Sequence, residues 1–300
     1  MTQFVRYLKL TLGVILGVVT LFVGTVYAVT SLRLHRTVTV PTHDFRAPTD
    51  SASIARGEHL VRSIAKCVDC HGQDLGGATL NSDFMIGTLA GPNITSGVGG
   101  VHRDFPDILY ERAIRHGVTL NGRRLVFMPS EEYQYFSDAD VGAVIAYVRS
   151  VPPVDRESAR IRLGPMARAL HLAGQFPLFS YDVVIHGEEV VAAIPEDTSV
   201  AYGRYLGALG CAGCHGTGYG GGKIPGTPPN FPPASNLTPS GIGKYSYEQF
   251  VSTLRTGKRP DGTTLKPLMP IAATKLMTDL EVTAIWHYLR SLPPKEFGTH

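Results

Sequence analysis

The chain has 300 residues, of which 43% are hydrophobic and 18% charged, and its formal net charge is +3. This composition is typical of a globular protein with one or two domains. The excess of positive charge is too small to indicate a nucleic-acid partner. All four cysteines lie in two copies of one pentapeptide, so none is left over for a separate structural disulfide.

An uncharged run of 23 residues, Leu10 to Leu32, comes first along the chain. As a helix it would be roughly 34 Å long, enough to cross a bilayer core of about 30 Å. A cleaved secretory signal is the alternative, with a weak cleavage site ending at Ala28. Because the apolar run continues past that site, we predict a retained transmembrane anchor over 10–32. Residues 1–9 would then be cytoplasmic, and residues 33–51 a polar stalk.

The repeated pentapeptide has the pattern C-x-x-C-H, the attachment signature of c-type haem. Two thiols form thioether bonds to the porphyrin, and the histidine that follows ligates the iron. A shared four-cysteine metal site or disulfides would use the same cysteines, but neither requires a histidine after each pair. We therefore predict two covalently bound haem c groups. The residues that would hold them are Cys67, Cys70, His71, Cys211, Cys214 and His215.

The sequence around each pentapeptide is duplicated as well. Matched pairs follow in the same order, at offsets of 141 to 143 residues: Asn93-Ile94-Thr95 with Asn236-Leu237-Thr238, Met128-Pro129 with Met269-Pro270, and YVRSVPP ending at Pro153 with YLRSLPP ending at Pro294. A long offset that drifts by only a few residues indicates duplication of a whole domain. We predict two tandem domains over 52–153 and 198–294, an interdomain segment over 154–197, and a C-terminal tail over 295–300.

Each copy is predicted to contain three main helices. The first precedes the pentapeptide, at 53–66 and 200–209, and the second spans 105–116 and 247–256. Asp104 is the predicted N-cap of 105–116, and Ser246 with Gln249 forms a predicted capping box. The third helix opens at Ser137 and Thr278 and ends before a double proline, and Thr278 with Glu281 forms a second predicted capping box. Neither copy shows the alternation of a β-strand, so the predicted fold class is mostly α.

Two methionines, Met128 and Met269, occupy equivalent loops before the third helix, and a proline follows each. A methionine sulfur opposite the histidine would complete the iron coordination and raise its reduction potential. Filling the core is the commoner use of methionine and is the alternative at each site. The matched pair favours ligation, while histidine ligation at one haem stays open. The competing residues have no identical partner in the other copy: Met85, Met166, Met277, His59, His102, His116 and His287.

Together, the C-x-x-C-H, Asn-x-Thr, Arg-x-Gly, Met-Pro and closing-helix motifs resemble class I cytochrome c domains. More narrowly, they resemble the multihaem cytochrome c subunits of membrane-bound periplasmic dehydrogenases. The resemblance implies that Cys67, Cys70, His71 and Met128 hold the first haem, and that Cys211, Cys214, His215 and Met269 hold the second. Arg115 and Arg255 are equivalent cations in the second helix and are candidates for contacts with haem propionates. An exposed helix position is the alternative for both.

The predicted function is single-electron transfer by a membrane-anchored di-haem protein. The donor would be a dehydrogenase or a quinol-oxidising complex, and the acceptor a protein such as a terminal oxidase. The chain would be a single-pass protein of the bacterial inner membrane with its haem domains in the periplasm, in contact with lipid through the N-terminal helix. No motif indicates an independent catalytic site. The alternative is a di-haem enzyme of the peroxidase type, in which Met128 or Met269 leaves one iron open.

Overall fold

The computed structural model describes residues 2–41, 43–101, 105–187, 191–228 and 230–299. Helix α1 (Thr2–His35) comes first, and its side chains are exposed from Gln3 to Thr25. In the part of the chain that the structure describes, α1 is the one helix long and apolar enough to span a membrane. From Val26 onward its side chains begin to contact the rest of the protein.

The first domain is built from short helices around the first pentapeptide. They are α2 (Ser51–His59) with a π-helical turn (Leu60–Ile64), α3 (Cys67–His71), α4 (Asp107–His116), α5 (Ser130–Tyr133) and α6 (Asp138–Ser150). The predicted first helix is therefore interrupted. Lys66 adopts a left-handed conformation with φ of 55°, so the chain turns sharply just before Cys67. The predicted cap Asp104 lies outside the described residues.

A small antiparallel sheet joins the first domain to the interdomain segment. Strands β1 (Ala78–Asp83) and β2 (Gly87–Gly91) form a hairpin, and β3 (Arg162–Leu163) pairs with β2. The prediction that no strand would occur was wrong here. The hairpin strands are short, and β3 has only two residues, too few to show an alternating pattern. Helix α7 (Pro165–Leu172) and a 3-10 turn (Ser180–Asp182) complete this segment.

The second domain repeats the helical plan of the first. Its helices are α8 (Val200–Gly210), α9 (Ala212–His215), α10 (Pro239–Ile242), α11 (Tyr247–Thr256), α12 (Ile271–Thr274) and α13 (Asp279–Ser291). Both predicted capping boxes form, at Ser246 with Gln249 and at Thr278 with Glu281. These caps satisfy the free amides at each helix start, which explains why the sequence located the starts well.

The first and last helices of each domain cross at a glycine. A Cβ on Gly57 would lie 1.9 Å from the Ala143 carbonyl oxygen of α6, and a Cβ on Gly203 would lie 2.0 Å from that of Ala284 in α13. Only glycine therefore permits these crossings. The same contact in both copies shows that the duplication extends from sequence to packing.

The two domains meet through these same helices, and one hydrophobic core runs through both. An approximate twofold axis relates the contacts across the interface between the two domains. His59 of α2 contacts Glu281 of α13 at 2.8 Å, and Tyr205 of α8 donates to Asp140 of α6 at 2.6 Å. The domains are therefore packed against each other as a pair.

Candidate functional site

The first pentapeptide forms α3, and its histidine is buried. His71 exposes 8% of its surface, and its Nδ1 lies 2.8 Å from the Pro92 carbonyl oxygen. A carbonyl oxygen only accepts, so Nδ1 carries the proton and Nε2 keeps its lone pair. Burial lowers the pKa of His71 below its ordinary value, although the bond to Pro92 opposes this. The imidazole is thus neutral and presents Nε2, the form that ligates a metal.

The second pentapeptide has the same geometry. His215 exposes 8% of its surface, and its Nδ1 lies 2.7 Å from the Ser235 carbonyl oxygen. Burial again lowers the pKa of this histidine below its ordinary value, against the effect of the bond to Ser235. Both halves of the chain therefore orient a neutral imidazole by the same device.

The hairpin packs tightly on the first pentapeptide. A Cβ on Gly91 in β2 would lie 2.0 Å from the Cys70 carbonyl oxygen, so glycine is required at this approach. Because Pro92 follows directly, the same strand end delivers the carbonyl that orients His71. The unpredicted hairpin is thus part of the site.

An apolar cavity opens beside the second pentapeptide. Its wall brings together the four residues predicted for the second haem: Cys211, Cys214, His215 and Met269. The remaining wall is largely apolar and includes Ile242, Tyr245, Phe250, Leu254, Met277 and Leu289. An apolar pocket with a free imidazole nitrogen, a thioether and two thiols on its wall matches what a covalently bound haem needs. The residues present fit the group.

The cysteines do not form one shared centre. Among the described residues, which include all four cysteines, no group of three or more His, Cys, Asp or Glu side chains could hold a metal ion. Burial raises the pKa of the Cys67 thiol to about 12 and that of the Cys211 thiol to about 11. Neutral thiols at separate sites suit thioether attachment better than a four-thiolate metal site.

Two family models match the two halves of the chain. The model for cytochrome c matches residues 200–293, and the model for subunit III of cbb3-type cytochrome c oxidase matches residues 52–148. Both halves of this chain are cytochrome c domains. The predicted resemblance and the mostly α fold class are confirmed. Two such domains account for the two covalently bound haem c groups that the sequence predicts.

Three curated relatives of this chain are cytochrome subunits of dehydrogenases. The cytochrome c subunit of gluconate 2-dehydrogenase from Pantoea cypripedii is 30% identical over 281 residues, which cover 82% of this chain and 61% of the relative. That of alcohol dehydrogenase (quinone) from Gluconacetobacter polyoxogenes is 26% identical over 273 residues, 82% of this chain and 57% of the relative. The cytochrome subunit of fructose dehydrogenase from Gluconobacter japonicus is 39% identical over 100 residues, 30% of this chain and 21% of the relative. The chain thus spans at most about three fifths of these relatives.

The loops that carry the two matched methionines differ in their surroundings. In the first cytochrome c domain, the interdomain segment covers this loop: Ser180 Oγ donates to the Met128 carbonyl at 2.5 Å, and the Phe127 amide donates to the Leu178 carbonyl at 3.0 Å. In the second domain, the methionine loop forms a hydrogen bond within itself: the Met269 amide donates to the Lys266 carbonyl at 3.0 Å. Leu268 beside it is 40% exposed.

Arg115 and Arg255 make equivalent contacts within their own domains. Arg115 is buried, with 2.6 Å bonds to the Phe136 carbonyl and the Asp138 carboxylate. The Arg255 guanidinium likewise donates to the carbonyls of Lys275 and Met277 and to Asp279. Both arginines therefore hold the chain that enters the last helix of their domain. A contact of either arginine with a haem propionate stays a prediction.

His116, which has no identical residue at the equivalent position of the second domain, contacts the interdomain segment. It is buried, and its Nδ1 lies 3.0 Å from the Nδ1 of His186 in the interdomain segment. Burial, followed by the charges of His186 and Arg115, lowers the pKa of His116 to about 4. The residue therefore packs the interdomain segment onto the first domain. No repeat comparison could find this contact, because that segment exists only once.

Sequence reasoning missed two charged residues that the first domain contributes to the second cavity. Lys66 Nζ donates to the Gly210 carbonyl at 3.1 Å, and Lys66 and Glu132 both line the cavity. Burial raises the pKa of Glu132 to about 7, although Lys66 opposes the shift. Neither residue lies in a motif. The contact arises only when the two cytochrome c domains dock.

Proposed function

We propose that the chain transfers single electrons through two haems as the cytochrome c subunit of a dehydrogenase complex. The observation that carries the proposal is the duplicated histidine geometry: two buried, neutral imidazoles, each with Nδ1 on a backbone carbonyl and with no hydrogen-bond partner for Nε2 among the described residues. The names of the relatives, cytochrome subunits of gluconate, fructose and alcohol dehydrogenases, support a dehydrogenase as the electron donor. A terminal oxidase is the proposed acceptor. When bound, each haem supplies one-electron redox chemistry.

The proposed ligands of the first haem are His71 and Met128, with thioether bonds from Cys67 and Cys70. Those of the second are His215 and Met269, with Cys211 and Cys214. The shared cavity wall of His215 and Met269 supports the second set. The equivalent position of Met128 supports the first, and the hydrogen bonds from Ser180 and to Leu178 would hold that loop in place.

The contact between the two attachment segments supports electron transfer within one chain. Lys66 directly precedes Cys67, Gly210 directly precedes Cys211, and Lys66 Nζ lies 3.1 Å from the Gly210 carbonyl oxygen. A hydrogen bond thus links the residues directly before the two pentapeptides. We propose that this bond keeps the haems at a fixed separation.

Helix α1 is proposed to anchor the chain in the bacterial inner membrane, with both domains in the periplasm. Its length, its composition and the exposure of its side chains from Gln3 to Thr25 support a span. Covalent haem attachment takes place outside the cytoplasm, which supports the orientation. The anchor would keep the carrier beside membrane-bound donors and acceptors.

The experiment is a potentiometric titration of purified Met128→Ala and Met269→Ala beside the unmodified protein. Each variant is expected to lower the potential of one haem and to let that haem bind cyanide, because a methionine ligand raises the potential and fills the site. Met166→Ala is the matched control, since this methionine is 42% exposed and lies in α7. An unchanged two-component titration in both variants would contradict the ligand proposal. A high-spin haem in the unmodified protein would favour a peroxidase-type enzyme.

A further inference from the structure

The tip of the β1–β2 hairpin exposes large apolar side chains. Phe84 is 82% exposed, and Met85 next to it is 44% exposed. The tip is nevertheless a defined turn, because the Asp83 carboxylate accepts the Ile86 amide at 2.7 Å and the Asn81 side-chain amide at 2.7 Å. A fixed turn that holds a phenylalanine almost fully in solvent indicates a contact with something outside the chain.

The hairpin tip is linked to α1 through α7. The Met166 amide at the start of α7 donates to the Met85 carbonyl at 3.0 Å. Two residues later, Arg168 donates to the hydroxyls of Thr30 and Ser31 in α1, at 2.5 and 3.1 Å. Its guanidinium also lies 4.5 Å from the centre of the Tyr27 ring. The first turn of α7 therefore connects the hairpin tip to α1.

Arg168 contacts α1 just beyond the segment of α1 whose exposed side chains could lie in lipid. The side chains of α1 are exposed up to Thr25, whereas Val26 and Thr30 are buried against the protein. Tyrosine and arginine are the residues that commonly mark the boundary between hydrocarbon and headgroups. With Tyr27 and Arg168 at this point, the hairpin lies beside the level at which the bilayer surface is expected.

Exposed cations accompany the apolar tip. Strand β3 carries Arg162, which pairs with Thr88 of the hairpin, and Arg160 lies two residues earlier. Both arginines are exposed, as is Ile161 between them at 37%. Apolar side chains that insert at the interface, flanked by arginine, are typical of surfaces that bind anionic lipid.

We propose that the hairpin tip is a second membrane contact of this protein. Phe84 and Met85 enter the interfacial layer of an anionic phospholipid bilayer, and Arg160 and Arg162 face the lipid phosphates. Together with α1, this contact fixes how the first cytochrome c domain stands on the membrane. The inference rests on the proposed anchor role of α1.

The test uses the holoprotein in nanodiscs that contain phosphatidylglycerol. Because the four native cysteines are expected to be blocked as thioethers, Phe84→Cys introduces a single reactive thiol for a nitroxide label. Electron paramagnetic resonance with oxygen and a nickel chelate as relaxers then reports depth, since oxygen concentrates in lipid and the chelate in water. Phe297→Cys is the matched control: Phe297 is 61% exposed and lies in the C-terminal tail, just after the second domain.

The label at position 84 is expected to shift toward oxygen accessibility relative to the label at 297. Arg160→Glu with Arg162→Glu should reverse part of that shift in the same nanodiscs. Equal water exposure at 84 and 297 would overturn the proposal. So would a label at 84 shielded from both relaxers, which would indicate a protein partner.

Leu16→Cys separates this inference from the anchor proposal. A label at 16 in lipid with a label at 84 in water would reject the hairpin contact and keep the anchor. A label at 16 in water would reject the anchor itself, and the hairpin contact with it.

Discussion

Arg115 and Arg255 are equivalent residues whose burial differs. The Arg115 side chain is 4% exposed and lies 3.3 Å from Glu111, which is itself 2% exposed, whereas that of Arg255 is 25% exposed. Burial raises the pKa of Glu111 above its ordinary value, and Arg115 opposes that shift. Of the two positions, only Arg115 therefore neutralises a buried carboxylate.

Arg115→Ala should consequently lower the free energy of unfolding by roughly 3–5 kcal/mol, because it leaves a buried charge without a partner. Arg255→Ala should cost about 1–2 kcal/mol, since it removes hydrogen bonds to carbonyls that water can replace. Urea unfolding of both variants measures the difference. Equal losses would contradict the distinct role of Arg115.

Glu132 makes the stability depend on pH. Burial raises its pKa to about 7 from an ordinary value of 4.5. Between these values the folded chain holds a proton that the unfolded chain has released, so the free energy of unfolding falls as pH rises from 4.5 to 7. Glu132→Gln should flatten this dependence between pH 5 and pH 8 in urea unfolding, whereas Glu131→Gln, at the exposed neighbour, should largely keep it. An unchanged slope in Glu132→Gln would argue against a buried carboxyl at this position.

His116 changes the pH dependence of the free energy of unfolding in the opposite direction to Glu132. Its pKa is lowered to about 4 from an ordinary value of 6.5, so the unfolded chain binds the proton first as pH falls. The free energy of unfolding should therefore decrease from pH 6.5 down to pH 4. His116→Gln should remove this part of the acid sensitivity, as measured by thermal unfolding at pH 7 and pH 5. His287→Gln, on an exposed contact to the Thr198 carbonyl, is the control.

At the scale of elements, the crossing glycines are the most demanding positions. Gly57→Ala and Gly203→Ala should each destabilise the protein by roughly 1–3 kcal/mol, because a methyl group would collide with the facing helix backbone. A Cβ on Gly17 in α1 would have no atom within 4 Å, so Gly17→Ala should leave the unfolding midpoint unchanged. Midpoints in urea measure all three. Wild-type stability of Gly57→Ala would show that α2 and α6 are not in the close contact described.

Local rules explain which elements the sequence could predict. The helices at 247–256 and after Thr278 carry capping boxes and apolar stripes, so their starts follow from neighbouring residues. The positions of the hairpin and of β3 do not follow from neighbouring residues in this way. Strand β3 is only two residues long and lies more than 70 residues beyond the hairpin strand with which it pairs. The residues of the candidate site were likewise predictable only where they belong to a local motif. The C-x-x-C-H and Met-Pro motifs are local, whereas Lys66 and Glu132 reach the second cavity only through docking.

For the whole molecule, the interface between domains centres on Arg56. It lies 3.0 Å from Asp140 in its own domain, and 3.5 Å from Glu281 and 3.2 Å from the Tyr202 hydroxyl in the other. Burial disfavours the charge of Glu281, but His59, the Thr278 amide and Arg56 outweigh this and lower its pKa. Duplication in the sequence predicts two domains but not this contact, because its residues differ between the copies.

Arg56→Ala should uncouple the domains, since Asp140 and Glu281 would both lose a buried partner. Calorimetry is expected to show two unfolding transitions in place of one. Arg62→Ala, at a more exposed position that contacts Glu58 and Tyr147 within the first domain, should keep a single transition. A single transition in Arg56→Ala as well would mean that the shared hydrophobic core alone couples the domains.

The near-infrared spectrum of the oxidised protein reports directly whether methionine ligates each haem iron. A methionine sulfur bound to ferric haem gives a weak absorption in this region, and its intensity per haem counts the haems with that ligand. Two such haems are expected, with no high-spin species and no spectral change on addition of cyanide at low concentration. An intensity that corresponds to one haem or none, together with a high-spin haem that binds cyanide or peroxide, would contradict this expectation.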